Sequence, residues 1–101
     1  VTSAKRSAAY PGVPTVAESG VPGYEVTTWY ALMAPHGTPE AVRQRMSAEL
    51  AKVLKQPDVQ KRFDEQGVTA GDMTPPQLAG FIKTETTKWT KVAKDSGAKA
   101  E

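Results

Sequence analysis

The chain has 101 residues, 39% hydrophobic and 24% charged, with 13 basic against 11 acidic side chains and a formal net charge of +2, values ordinary for one globular domain that could bury roughly two thirds of its unfolded surface. Its charges are interleaved rather than gathered into a basic stripe, which argues against nucleic acid as a partner. Cysteine is absent, which excludes disulfides, zinc–thiolate sites and a cysteine nucleophile, and no apolar run approaches the ~20 residues of a membrane span or follows the order of a signal peptide.

In chain order, Val1-Thr2-Ser3 reads as the tail of a strand, and the missing initiator methionine in front of it leads us to expect a truncated chain. Ala4-Lys5-Arg6-Ser7 follows as a polar loop. From Ser7 to Gly23 the chain holds Pro11, Gly12, Pro14, Gly20, Pro22 and Gly23, a density that fixes turns and excludes long elements. Pro14 to Gly20 fits one short helical turn with Gly20 as its left-handed exit. Proline restricts φ, so this is expected to be an ordered crossing rather than a floppy tether.

Tyr24 to Pro35, YEVTTWYALMAP, alternates Tyr24, Val26, Thr28, Tyr30 and Leu32 against Glu25, Thr27, Trp29, Ala31 and Met33. Only Glu25 is charged on either face. A strand buried on both faces, as in a layered α/β sheet, is therefore expected.

A helix is expected from Thr38, whose hydroxyl would accept a first-turn amide while Pro39 takes the first helical position. Its apolar stripe is Val42, Met46, Leu50, Val53 and Leu54. Pro57 interrupts it, and a second short helix from Asp58 to Gln66 carries Val59 and Phe63 before Gly67 stops it. Val68-Thr69-Ala70 is a short strand or extended link. Thr74-Pro75-Pro76-Gln77 reads as a capping box, and Leu78, Phe81, Ile82, Trp89, Val92 and Ala93 keep helical spacing as far as Gly97, with Trp89 in the core. The Lys/Ala-rich tail from Lys94 to Glu101 is expected to fray.

Raw material for catalysis is thin. His36 is the only histidine, and without carboxylates placed around it, it makes neither a triad nor a zinc site; we read it as an exposed turn residue. Glu49, Asp64 and Glu85 lie among lysines and arginines on helix faces, where solvated ion pairs are the usual outcome. Lys5-Arg6 could meet an anionic group, although a solvated loop fits a short basic cluster better. Trp29 and Tyr30 point to opposite faces of a strand, so one can pack while the other looks towards a crevice, with the Thr27 and Thr28 hydroxyls beside them.

The blocks VTSAKRS, PGVPTVAESGVPGYEVTTWYALMAPHGTPEAVRQRM, LKQPDVQKRFDEQG and TPPQLAGFIKTETTKW, in this order, resemble the C-terminal third of the Bug-type extracytoplasmic solute receptors of tripartite tricarboxylate transporters. The resemblance covers nearly the whole chain. It implies an α/β fold, a C-terminal fragment of a two-domain, type II periplasmic-binding-protein-like architecture with few strands and three amphipathic helices. Residues 1–23 would cross from the second domain and residues 24–101 would complete the first. It further implies a periplasmic, non-enzymatic protein that takes a small di- or tricarboxylate, needs no cofactor or metal, and works with membrane transporter components. The family's main ligand loops lie upstream of this segment, so Thr28, Trp29 and Tyr30 are the cleft-side candidates here. Two other readings stand beside this one: a free-standing α/β interaction module that homodimerises through its exposed apolar faces, and a small hydrolase using His36.

Overall fold

Three helices account for the regular structure among residues 1–99, which the computed structural model describes. They are α1, Glu40–Val53, α2, Pro57–Glu65, and α3, Pro75–Ser96. A boundary between two compact units falls after Gly71, and each unit is best understood from its own local rules.

In the first unit, the crossing segment is organised by one turn. Glu18 N donates to the Thr15 hydroxyl at 3.0 Å, and Thr15 N donates back to the Glu18 carboxylate at 2.9 Å, a reciprocal capping box on a single helical turn. Gly20 N then donates to Ala17 O and Val21 N to Val16 O, the paired closure that ends helices, with Gly20 at φ +112° where a side chain would be strained. The Arg6 guanidinium reaches both Glu18 carboxylate oxygens through Nε, at 2.9 and 3.2 Å, and donates from Nη1 to Pro11 O at 3.2 Å. Thr15, 2% exposed, is the one buried residue among those described.

The expected strand over Tyr24–Pro35 is not formed. Among the described residues there is no regular strand, and the segment is joined to Val1–Ser3 by Val26 N donating to Thr2 O at 2.8 Å. On the other edge, Val16 N donates to Val1 O at 2.9 Å. Nor is Tyr24–Pro35 buried: Tyr30 is 89% exposed, Met33 61% and Leu32 59%. Alternating apolar residues state what a sheet needs on its two faces, but a ladder also needs neighbours in register along several residues, and a three-residue neighbour supplies one bond.

The first helix differs from expectation at its start. The Thr38 hydroxyl does not cap; it donates to Pro35 O at 2.8 Å, as does the Thr38 amide at 3.2 Å, closing the turn that contains His36. Pro39 becomes the N-cap and Glu40 the first helical residue, with no side-chain cap. A hydroxyl both donates and accepts, and the proline-led turn offers a carbonyl at closer range. Exposed ion pairs line the helix, Glu40 with Arg43 and Glu49 with Lys52 and Arg45. Its apolar stripe is on the expected side but uncovered, with Met46 53% exposed.

α1 ends at Val53 with Leu54 as its C-cap, three residues before Pro57, and Pro57 opens α2 as its first residue, where its missing amide costs no hydrogen bond. Gly67 N donates to Asp64 O at 3.1 Å and Val68 N to Phe63 O at 2.8 Å, so α2 closes by the same paired motif as the turn at Gly20. Val68–Ala70 is an extended link.

The second unit is built on α3. Its capping box is the one expected: Gln77 N donates to the Thr74 hydroxyl at 3.4 Å, and Thr74 N donates to Gln77 Oε1 at 2.9 Å. Along the helix, Thr84, Thr86 and Thr87 donate their hydroxyls to the carbonyls four residues back, Gly80, Ile82 and Lys83. Trp89 was expected in a core and is instead 39% exposed. Its indole N–H donates to Glu85 at 2.9 Å, and the Lys88 ammonium sits 5.3 Å from the ring centroid, a distance at which the ring face attracts a cation. A single helix has no second surface within its own unit to cover such a ring. Lys94, Asp95 and Ser96 are helical rather than frayed, and Gly97 ends the helix; Ala100 and Glu101, also expected to fray, lie outside the described residues.

Two expectations follow from this architecture. The Thr15 amide and then the Arg6 guanidinium hold the Glu18 carboxyl below its ordinary range. Because the folded value is lowered, the ordering it provides is fully present above the unfolded glutamate value and is lost as pH falls through the folded one. An NMR titration should show the Thr15 amide resonance moving with a midpoint below that of an ordinary glutamate, and Glu18→Gln should abolish the transition. For α3, Trp89→Ala should cost less than about 2 kcal/mol in a denaturant titration followed by circular dichroism, against the ~3–5 kcal/mol of a fully buried ring; a loss in the higher range would mean that the indole is enclosed.

Candidate ligand-binding site

Within the first unit, a shallow concavity of about 450 Å³ forms where Val1–Ser3 and Val26–Thr28 lie side by side, with Ser7, Tyr10 and Gly67 completing its lining. The hydrogen bond from Val26 N to Thr2 O joins its two main walls. Thr2, Ser3, Ser7, Tyr10, Thr27 and Thr28 bring six hydroxyls to the lining, and no charged side chain contributes to it. Ser3 donates its hydroxyl to Lys5 O at 2.7 Å. Hydroxyls donate to carboxylate oxygens as readily as to carbonyls, so the surface is suited to a polar or anionic group.

Of the three candidates from the sequence, Thr28 lies in this lining. Trp29 and Tyr30 do not; Trp29 is 38% exposed and Tyr30 89%. Consecutive residues of an extended chain face opposite sides, which separates Trp29 from its neighbours. Arg6 is adjacent in sequence but its guanidinium is engaged by Glu18 and Pro11. His36 is exposed in its turn. Among the described residues no group of three or more His, Cys, Asp or Glu could hold a metal ion, and no helix is long and apolar enough to cross a membrane.

Sequence reasoning missed Thr2, Ser3, Ser7 and Tyr10. The signal was available in part: Thr2, Ser3 and Ser7 are spaced closely at the start of the chain, and Thr27-Thr28 is a second hydroxyl pair. Joining the two required the Thr2–Val26 contact, a long-range pairing with no local signature. The Glu85–Trp89 hydrogen bond was missed as well, although a separation of four residues on a helix puts such a pair within reach.

Comparison with known proteins places this geometry in context. A family model described as tripartite tricarboxylate transporter family receptor matches residues 1–98. A protein of the tcbD-tcbE intergenic region of Pseudomonas sp. strain P51 is 42% identical over 93 residues, covering 91% of this chain and 28% of the relative. BugT of Bordetella pertussis is 36% identical over 99 residues, covering 98% of this chain and 30% of the relative. Among solved structures, R. palustris Rpa4515 with adipate is similar with a TM-score of 0.81 and 34% identity over 95% of this chain and 32% of that one. The chain thus spans about a third of the length of each of these three proteins. With 98 of its residues matched by the family model and its backbone matched by a solved relative, the chain belongs to the tripartite tricarboxylate transporter receptor family.

Proposed function

We propose that this chain is part of an extracytoplasmic solute receptor, non-enzymatic and periplasmic, that binds a small di- or tricarboxylate and delivers it to the membrane components of a tripartite tricarboxylate transporter. The observation that carries the reading is the agreement in backbone and sequence with Rpa4515, a protein described with adipate. In this reading the fold is a portion of a two-domain, type II binding-protein architecture, in which residues 1–23 cross from the second domain and residues 24–101 complete the first. Thr28, Trp29 and Tyr30 face the ligand cleft. Thr28 and the hydroxyls around it then donate to a ligand carboxylate, while one of the two aromatic side chains, which face opposite sides of the chain, covers the ligand's methylene groups.

Magnitudes limit what this chain does alone. Two hydrogen bonds to a carboxylate in open solvent contribute about 1 kcal/mol each, and association costs at least about 4 kcal/mol. Binding by the chain alone should therefore be weaker than about 1 mM. Grafting this chain in place of the matching third of Rpa4515 restores the rest of the cleft. Calorimetry with adipate should show a saturable site in that chimera, and Thr28→Ala should weaken it by about fivefold, the equivalent of one hydrogen bond. A correctly folded chimera with no adipate site would overturn the reading.

A second reading, that the chain pairs with itself, is favoured by the uncovered side chains of Tyr30, Leu32 and Met33. Apolar groups gathered on a surface drive association. Sedimentation velocity at increasing concentration should show a monomer–dimer equilibrium; a monodisperse monomer throughout would count against it.

A further inference from the structure

We propose that the Arg6–Glu18 ion pair is a positioning device that holds Val1–Ser3, one wall of the hydroxyl-lined concavity, in place between Val16 and Val26. The inference rests on the reading of that concavity as the ligand side and assigns two residues that do not line it.

The wall itself is short. Val1 N donates to Pro14 O at 2.6 Å, and the successive carbonyls point to opposite edges, Val1 O accepting from Val16 N and Thr2 O from Val26 N, so its placement depends on how firmly Pro14, Val16 and Val26 are held. Val16 lies in the turn that Thr15 caps, and the Glu18 carboxylate that accepts the Thr15 amide is the one that Arg6 grips. Arg6 stands three residues beyond Ser3. Residues 1–6 are therefore fastened to the same turn at both ends, upstream through Val1 and Val16 and downstream through the ion pair. The ion pairs of the helices join residues three or four apart, whereas this one spans 12. Exposed pairs in general contribute little, but a carboxylate shared among a guanidinium and a backbone amide, with the same guanidinium on Pro11 O, is a network rather than a pair. With Arg6 so engaged, the concavity keeps its hydroxyl-donating character.

Amide hydrogen exchange on the full chain tests this directly. In Arg6→Ala and Glu18→Gln, the Val16 and Val26 amides should exchange about fivefold to tenfold faster, while the Val68 amide, bonded to Phe63 O at the end of α2, should be unchanged. Arg45→Ala, which removes an exposed pair on α1, should alter none of the three. Equal acceleration at Val68 would mean general loosening of the unit, and unchanged Val16 and Val26 would mean that the ion pair positions nothing; either overturns the proposal. Adding adipate to the Rpa4515 chimera, where the rest of the cleft is present, separates the two claims. Shifts of the Thr2 and Thr28 amides that are present in the parent chimera and diminished in its Arg6→Ala variant support both, and shifts that persist undiminished in Arg6→Ala would overturn the positioning role. Unshifted amides in a folded parent chimera would reject the ligand reading while the exchange rates still decide the positioning one.

Discussion

One carboxylate, that of Glu18, ties together the part of the chain that has no regular structure. It meets a backbone amide, a guanidinium and, through its own amide, the hydroxyl of Thr15, so that a loop, a turn and the first residues of the chain converge on it. No apolar side chain is buried among the described residues. The order of this segment therefore comes from directional polar contacts that water competes for, and its shape is better defined than it is strongly held. A hydrophobic core is forgiving about direction and generous in magnitude. This segment has the opposite character.

The features legible in the sequence were those coded within a few residues. The Thr74–Gln77 capping box, the change of helix at Pro57, the stop at Gly67 and the turn ending at Gly20 each depend on one residue type at one offset, and each is found where the local chemistry puts it. The Thr15–Glu18 box has the same kind of spacing and was open to the same reading. What was not legible was burial. The alternation over Tyr24–Pro35 and the apolar series on α3 were read as evidence of enclosure, but periodicity reports the side on which a cover is wanted and is silent about who provides it. Trp89 illustrates the point, in helical register with Phe81 and Val92 yet turned to Glu85 and Lys88 for its contacts. The candidate site was legible at Thr28 and not at Thr2 or Tyr10, because these reach the concavity through backbone pairing between distant segments.

Likeness to a solved relative, with no apolar side chain buried among the described residues, separates two things that usually arrive together. Caps, prolines and left-handed glycines set the path of the backbone, while cohesion is left to surfaces. The proposed place of this chain within a larger receptor would account for this division: a segment with its turns and helix ends already specified needs only to be covered. On that proposal the exposed apolar residues Trp29, Tyr30, Leu32 and Met33 would be sites of attachment.

Thr84, Thr86 and Thr87, three of the four threonines of α3, carry a related consequence. Each hydroxyl is spent on a carbonyl of its own helix, an arrangement open to threonine inside a helix. A neighbour packing there meets methyl groups and owes the helix no hydrogen bonds in return. At 3.6 residues per turn Thr84 and Thr87 share a side while Thr86 lies on another, so their methyl groups form a small aliphatic spot between Lys83 and Lys88, on a side that composition would assign wholly to water.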